Sequence, residues 1–224
     1  MLFCFLYVRK IGHKRNKMQY FKLKEKLKDF ILFTQHDIKM IDNSFQRQRL
    51  NEWQKKGYIK KIIKGYYIFS DLELNESVLF SISNKIYQPS YISFEMALSY
   101  YGLIPESVYG ITAASSRKTQ NFKSTIAEYF YHKIKPSLMF GYKLVKYKNQ
   151  AFKIADIEKA ILDYFYIKSH FKTIEDFEDL RIDKNIFTEQ VNINKLNKYL
   201  KSFNSTALSR RIRKLMRYIK NAYS

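Results

Sequence analysis

Five polar side chains between residues 47 and 55 have the chemistry that reads the edges of DNA bases. They are Arg47, Gln48, Asn51, Gln54 and Lys55. Arginine can make two hydrogen bonds to guanine, asparagine and glutamine can do so to adenine, and lysine can contact phosphate. At about 100° per residue, these five lie on one side of a helix from Phe45 to Lys56, and Phe45, Leu50 and Trp53 lie on the other. The pattern predicts a polar helix face for the major groove, with a merely solvated face as the alternative.

The residues upstream have the sequence of a helix followed by a turn. Thr34, three residues before Asp37, predicts a capping box at the start of a helix from Gln35 to Ile41. Asp42-Asn43-Ser44 is typical of a turn, and Ser44 is expected to cap the next helix by accepting a backbone hydrogen bond. Two helices separated by a short turn are therefore predicted.

Two β-like runs follow the polar helix. Gly57 predicts its left-handed end, and Tyr58–Ile62 and Tyr66–Phe69 are joined through Lys64-Gly65 as in a hairpin. A further helix is predicted over about Tyr20 to Phe33. Its inward residues would be Phe21, Leu23, Leu27, Phe30 and Ile31.

Helix, helix-turn-helix and hairpin in this order predict a winged helix-turn-helix DNA-binding domain over residues 18–72. The hairpin is its wing, and its lysines lie within reach of the DNA backbone. The candidate DNA-binding residues are Ser44, Arg47, Gln48, Asn51, Gln54, Lys55, Lys60, Lys61 and Lys64.

Composition limits the function classes. The 224 residues are 46% hydrophobic and 17% aromatic, which indicates a folded chain, and the net charge of +21 favours a polyanionic partner such as nucleic acid. Codon bias in an AT-rich genome is an alternative source of part of the lysine excess. Because Cys4 is the only cysteine, an intramolecular disulfide is excluded, which agrees with a cytoplasmic location.

The first 17 residues are predicted to be an unstructured extension, with Met18 as the start of translation. The apolar run Leu2 to Val8 is too short to cross a bilayer, so no membrane partner is expected. An N-terminus that touches a membrane surface is the alternative interpretation.

The remaining chain predicts a connecting helix over residues 73–88, opened by Asn75, and a mixed α/β domain over residues 89–224. A helix from Phe94 to Tyr101 would be capped by Ser93. The expected strands, of which two or three pair antiparallel in a small sheet, are Tyr109–Ala114, Glu128–Ile134, Phe140–Tyr147 and Phe152–Ile154. Later helices are expected at Asp156–Tyr166, Asn194–Phe203 and Thr206–Tyr218. The fold class is α+β.

Catalytic and metal-binding patterns are weak. Lys159 and Asp163 have the i, i+4 spacing of a helical ion pair, which is favoured over a catalytic cluster that would include Glu158. The loop Ser115–Thr119 could hold a phosphate, but a solvated loop is favoured. The C-terminal helix is basic around an apolar stripe, and packing on the domain is favoured over a membrane or nucleic-acid contact. No cofactor or metal site is expected, since the four histidines His13, His36, His132 and His170 are scattered.

Several motifs together resemble one known family. PSYISFEMALSYYGLIPE (Pro89–Glu106), Gly110-Ile111-Thr112 and IADIEKAILDYFY (Ile154–Tyr166) resemble the C-terminal domain of the AbiEi antitoxin family. The segment Asp37–Tyr67 is similar to the N-terminal winged helix of that family. The resemblance covers about Met18 to Tyr218, nearly the whole chain.

The resemblance implies a non-enzymatic antitoxin of a type IV, abortive-infection toxin–antitoxin system. Such a protein represses its own promoter by binding inverted repeats, and it counteracts a nucleotidyltransferase-like toxin without necessarily touching it. The alternatives are a stand-alone winged-helix transcriptional regulator whose second domain senses something else and, from another class, a nucleic-acid-processing enzyme with its site between Tyr91 and Tyr166.

Overall fold

The computed structural model describes residues 20–105, 110–171, 173 and 175–220. The predictions for residues 1–17 and for Met18 as the start lie outside the described residues. The N-terminal unit contains, in order, α1 (Tyr20–Lys26), β1 (Phe33–Thr34), α2 (Gln35–Ile41), α3 (Gln48–Lys55), β2 (Ile59–Ile63) and β3 (Tyr66–Phe69). Its strands form an antiparallel sheet in the order β1-β3-β2.

Local sequence explains where α2 begins. The backbone N–H of Asp37 donates to Thr34 Oγ1 at 3.3 Å, and the N–H of Thr34 donates to Asp37 Oδ2 at 2.7 Å. This reciprocal pair is the predicted capping box, and it satisfies two N–H groups that the first turn of the helix leaves free. Both the capping box and the predicted helix bounds are confirmed.

Helix α1 is shorter than the sequence predicted. It ends at Lys26, because the chain turns there to enter β1, whose residue Phe33 pairs with Tyr67. Phe21 was expected to face inward but is 75% exposed. On a seven-residue helix it lies roughly 100° from Tyr20, off the face that buries Leu23. Phe30, also expected inward, lies beyond the helix and is 41% exposed.

The C-terminal unit is built on a larger sheet. Its strands are β4 (Ser90–Ile92), β5 (Ile111–Ser115), β6 (Gln120–Lys123), β7 (Glu128–Lys133), β8 (Tyr142–Tyr147) and β9 (Gln150–Ala155). They are ordered β6-β7-β5-β4-β9-β8. Its helices are α4 (Glu76–Ile86), α5 (Phe94–Tyr100), α6 (Ile157–Ile167), α7 (Glu175–Asp179), α8 (Lys184–Gln190), α9 (Ile193–Phe203) and α10 (Thr206–Lys220).

This architecture confirms the α+β class, but the large sheet is mixed. The predicted antiparallel pairing holds for β8 with β9, whereas β5 pairs parallel with β7 and β4 pairs parallel with β9. The parallel pairs were not predicted because the prediction lacked two strands of this sheet. Strand β6 occupies the sheet edge beside β7, and the three-residue β4 lies at the centre between β5 and β9. Gln120–Lys123 holds one apolar residue, so its composition carries almost no strand signal.

The predicted connecting helix is packed into the C-terminal unit. Asn75 caps α4 by accepting from the N–H of Val78 at 3.1 Å, and Phe80 and Ile82 are fully buried. The two units also share an apolar core, since Ile62 and Ile68 of the hairpin belong to the same cluster as Val78.

The junction between the units also includes polar contacts. Asn149 Nδ2 donates to Asp29 Oδ1 at 2.8 Å, and Gln150 Nε2 donates to the carbonyl oxygen of Asp29 at 2.7 Å. These bonds join the β8–β9 turn to the segment after α1. The N-terminal unit is therefore attached to the larger one by side chains as well as by the chain itself.

Helix α6 is buried on every side, and its ion pair lies in the interior. Lys159 Nζ contacts Asp163 Oδ1, and both side chains have 0% exposure. Tyr91 Oη donates to Asp163 Oδ2 at 2.8 Å and accepts from Lys159 Nζ at 2.8 Å, while Ser93 Oγ donates to Asp163 Oδ2 at 2.8 Å. The expected ion pair is confirmed, and both of its side chains are buried.

The same network changes the role of Ser93. Its hydroxyl was expected to cap α5, but it donates to Asp163 and makes no cap bond. The hydroxyl of Thr112 takes that place, accepting from the N–H of Met96 at 3.0 Å and donating to the carbonyl oxygen of Ser93 at 2.7 Å. Strand β5 thus supplies the cap for α5.

A second set of charges fixes the C-terminal helices on α6. Glu158, 2% exposed, accepts from the backbone N–H of Asn192 at 3.0 Å. Lys195 Nζ lies 3.0 Å from carboxylate oxygens of both Glu158 and Asp156. The favoured interpretation of the C-terminal helix is confirmed, because α10 buries its apolar stripe on the domain. The buried residues of that stripe are Leu208, Ile212, Leu215 and Ile219.

Within the described residues, no helix has both the length and the apolar character needed to cross a bilayer.

We expect Lys159→Met to lower the free energy of unfolding by about 3–5 kcal/mol, because it leaves the buried Asp163 carboxylate unpaired. The double change Lys159→Met with Asp163→Leu should be much less destabilising, since no charge is then buried. Urea denaturation measures both variants. Lys123→Met, which removes a solvent-exposed partner of Glu128, is the matched control and should have little effect. A double variant as unstable as Lys159→Met would contradict this account.

Candidate nucleic-acid interface

Helix α3 ends at a glycine in the left-handed conformation, as the sequence predicted. Gly57 has φ +70°, its N–H donates to the carbonyl of Gln54 at 3.0 Å, and the N–H of Tyr58 donates to that of Trp53 at 2.9 Å. These two bonds form a Schellman motif, which satisfies carbonyls at the helix end and directs the chain into β2. The geometry sets where the hairpin leaves the helix.

The start of α3 differs from the prediction. The helix begins at Gln48, with Arg47 as its N-cap residue and no side-chain cap bond. Ser44 therefore does not cap it. Its hydroxyl donates to Asp42 Oδ1 at 2.6 Å and its N–H donates to the same atom at 3.0 Å. The Asp42 carboxylate, two residues upstream, binds Ser44 in place of the first turn of α3. The turn between α2 and α3 is also longer than predicted.

The predicted division of α3 into two faces is largely confirmed. Leu50 and Trp53 are 1% and 3% exposed, and Phe45 packs on Trp53 with ring centroids 5.5 Å apart. On the opposite side the exposed residues are Arg47, Gln48, Asn51 and Lys55. Gln54 is the exception: it is half-buried, and its Nε2 donates to the carbonyl of Leu50 at 3.0 Å. Its amide is thus engaged by its own helix.

The lysines of the hairpin are exposed. Strand β2 has a register irregularity between Lys61 and Ile63, after the exposed Lys60 and Lys61. A regular strand would place Ile59 and Ile62, three residues apart, on opposite faces, and the bulge allows both to be buried. Lys64 is exposed in the turn, beside Gly65 with φ +89°.

One basic residue of α3 was missed by the sequence interpretation. The guanidinium carbon of Arg49 lies 5.4 Å from the centroid of the Trp53 ring, a cation–π contact. Its Nε and Nη1 atoms are buried and have no hydrogen-bond partner among the described residues. At 100° per residue Arg49 lies about 40° from Trp53, on the apolar side of the helix, which is why a search for outward polar residues did not assign it.

In the N-terminal unit, basic residues outnumber acidic residues. Residues 20–72 contain twelve lysines and arginines and six aspartates and glutamates. Among the acids, Asp71 pairs with Lys24, and Asp37 closes the capping box. In the C-terminal unit, residues 190–220 carry nine basic residues and no acidic one. The exposed arginines of that second basic surface are Arg210, Arg213 and Arg217.

Other candidate chemistry is not assembled. No cluster of three metal-ligating side chains occurs among the residues that the structure describes. The loop Ser115–Thr119 uses its polar groups internally: Ser115 Oγ donates to the carbonyl of Pro89 at 2.7 Å, and Arg117 Nη1 to that of Gln88 at 3.2 Å. His132 is half-buried, and burial lowers its pKa, an effect that the Glu95 carboxylate opposes.

No family model matches the chain, and no curated protein matches it either.

Replacing Gly57 with Ala should lower the free energy of unfolding by about 1–2 kcal/mol, because a β-carbon is strained at positive φ. No neighbouring atom lies within 4 Å of the position that the β-carbon would take, so the cost is conformational alone. Thermal or urea unfolding measures it. The preceding residue Lys56 has φ −80°, and Lys56→Ala is the control with no expected loss. Equal stability of the two variants would contradict the assignment of the left-handed end.

Proposed function

We propose that residues 20–72 form a winged helix-turn-helix that binds double-stranded DNA, with α3 as the recognition helix and the β2–β3 hairpin as the wing. One observation carries this proposal. The order α1-β1-α2-α3-β2-β3, with sheet order β1-β3-β2, places a basic hairpin beside a helix whose outer face bears groups that recognise bases.

The geometry supports a division of labour between the helix and the hairpin. Arg47 and Asn51 are exposed on α3 and can each make two hydrogen bonds to a purine in the major groove. Lys60, Lys61 and Lys64 carry charge on flexible stems, which suits phosphate contacts that carry no sequence information. Base recognition is therefore assigned to α3 and electrostatic attachment to the hairpin.

Gln54 and Ser44 contribute less than the sequence suggested. The amide nitrogen of Gln54 is engaged by its own helix, and the hydroxyl of Ser44 is engaged by Asp42. Each of these bonds would have to break before that donor could serve a base or a phosphate. The remaining predicted contacts are exposed: Arg47, Gln48, Asn51, Lys55, Lys60, Lys61 and Lys64.

We further propose that the protein is a non-enzymatic, type IV antitoxin that represses its own promoter and counteracts a nucleotidyltransferase-like toxin. This part rests on the sequence resemblance to the AbiEi family alone. DNA binding by the N-terminal unit is the activity that such repression requires. The C-terminal unit is assigned the antitoxin activity, also on the resemblance.

The buried ion pair favours this proposal over the enzyme alternative. Lys159, Asp163 and Tyr91 would be the natural acid–base set, but each is closed off from solvent by the sheet and helices around it. Burial lowers the pKa of the Lys159 amine, whereas the Asp163 charge raises it. A network without access for a substrate offers no route to catalysis at these groups.

Exchanging Arg47 and Asn51 for Ala should weaken binding to the promoter by about 1–3 kcal/mol for each lost base contact. Affinity for unrelated duplex DNA should change much less, because phosphate contacts remain. A mobility-shift assay with both duplexes measures the difference. Lys146→Ala, an exposed residue of β8, is the control. Unchanged promoter affinity in the double variant would exclude α3 as the reader.

Lys64→Ala should reduce the slope of log affinity against log salt by about one unit, since one phosphate contact is lost. Preference for the promoter over unrelated DNA should stay nearly constant. Titrations at several salt concentrations measure both quantities. A slope equal to that of the unmodified protein would contradict a phosphate contact by the hairpin turn.

A fragment beginning at Asn75 retains the cap of α4 and the sheet, so it should fold and rescue cells that express the cognate toxin, without repressing the promoter. Because Ile62 and Ile68 pack on the larger core, a fragment ending near Asp71 exposes apolar surface and should bind DNA weakly. Co-expression with the toxin and a promoter reporter measures both activities. Rescue by the fragment ending near Asp71 alone would overturn the assignment of antitoxin activity to the C-terminal unit.

A further inference from the structure

A cavity of about 450 Å³ lies where α4, β4 and the β8–β9 hairpin meet. It is separate from α3 and from the buried network of α6. The lining residues are Asn84, Lys85, Gln88, Pro89, Ser90, Leu144, Ala151 and Lys153. Its volume is within the range of sites that hold small molecules.

Two buried donors in the lining have no hydrogen-bond partner in the part of the chain that the structure describes. Ser90 is 4% exposed, and its Oγ has no hydrogen-bond partner among the described residues. The same is true of Asn84 Nδ2, whose amide oxygen is occupied by the backbone N–H of Lys153. Buried polar groups are nearly always satisfied. Both atoms are closed off from solvent, so a bound acceptor reaches them only after the lining side chains shift.

Positive charge is the second feature of the cavity. Lys85 and Lys153 line it, and no aspartate or glutamate does among the described residues. Lys85 Nζ donates to Gln150 Oε1 at 2.6 Å and has further N–H groups to offer. Burial lowers the pKa of Lys85, while the Asp37 charge raises it. An anion in the cavity would compensate this desolvated amine.

We propose that this cavity binds the phosphate group of a small molecule. Two amines, a hydroxyl and an amide belong to residues that line one concave space, and this set of groups carries the assignment. A phosphate has three oxygens that accept strong, charge-assisted hydrogen bonds and two negative charges for two lysines. The apolar residues Pro89, Leu144 and Ala151 line the rest of the space and can contact the non-phosphate part of the molecule.

The test is isothermal titration of the full chain with inorganic phosphate and, in parallel, with AMP, at an ionic strength fixed with sodium chloride. We expect saturable binding of one equivalent by at least one of the two probes. Affinity for AMP at least tenfold above that for phosphate identifies a nucleotide as the source of the group. Equal affinities identify free phosphate. Absence of saturable binding of either probe would overturn the proposal.

Variants locate the site. Lys85→Gln and Lys153→Gln should each weaken binding by tenfold or more, and Lys143→Gln, the same change on the other face of β8, should leave it unchanged. Ser90→Ala removes a hydroxyl without a partner, so it should fold normally and weaken binding several-fold. Circular dichroism verifies the fold of each variant. Binding that survives in folded Lys85→Gln and Ser90→Ala proteins would contradict the assignment.

Discussion

The proposed DNA-binding surface depends on the burial of Leu50 and Trp53 beneath α3. An isolated helix of eight residues is unstable in water, because too few hydrogen bonds form after the costly first turn. Its stability must come from the apolar face, which packs on Phe45 and into the core of the N-terminal unit. With that face buried, Arg47, Gln48 and Asn51 are directed outward. The same packing that forms the helix therefore orients the groups that would recognise bases.

The C-terminal unit depends on a different constraint, a charged pair in a dry interior. Lys159 and Asp163 have no exposed surface, and the pair is stable only because Tyr91 and Ser93 complete its hydrogen bonds. The rings of Phe140 and Phe203 lie 5.3 Å and 5.0 Å from the amine and add cation–π contacts. These contacts fix the position of strand β4 relative to helix α6. Such a network specifies the arrangement of its elements more than it stabilises them, since its desolvation cost is large.

Local sequence predicted the features that depend on local chemistry. The Thr34–Asp37 capping box and the left-handed Gly57 involve residues a few positions apart, and both are confirmed. The bounds of α9 and α10 were predicted within one or two residues for the same reason, whereas α7 and α8 were not predicted. Ser44 failed because a nearer carboxylate, that of Asp42, competes for its hydroxyl. The outcome of such a competition depends on the path of the turn, which the sequence does not specify.

Features that need distant partners could not be predicted. The spacing of Lys159 and Asp163 indicated an ion pair, but its burial depends on Tyr91, which is 68 positions from Lys159. Likewise, the cavity collects Lys85, Ser90 and Lys153 from three elements whose neighbourhood follows from the parallel pairing of β4 with β9. Strand order in a mixed sheet is set by long-range packing, and short strands such as β4 carry little signal of their own.

The most direct test of the central claim is the affinity of the full chain for the DNA upstream of its own gene, compared with a shuffled duplex of the same length and composition at one fixed salt concentration. Sequence recognition through α3 predicts an affinity ratio of about 1,000 or more in favour of the upstream DNA. Equal affinities for the two duplexes would show that the basic charge attracts DNA without reading it, and would contradict the account.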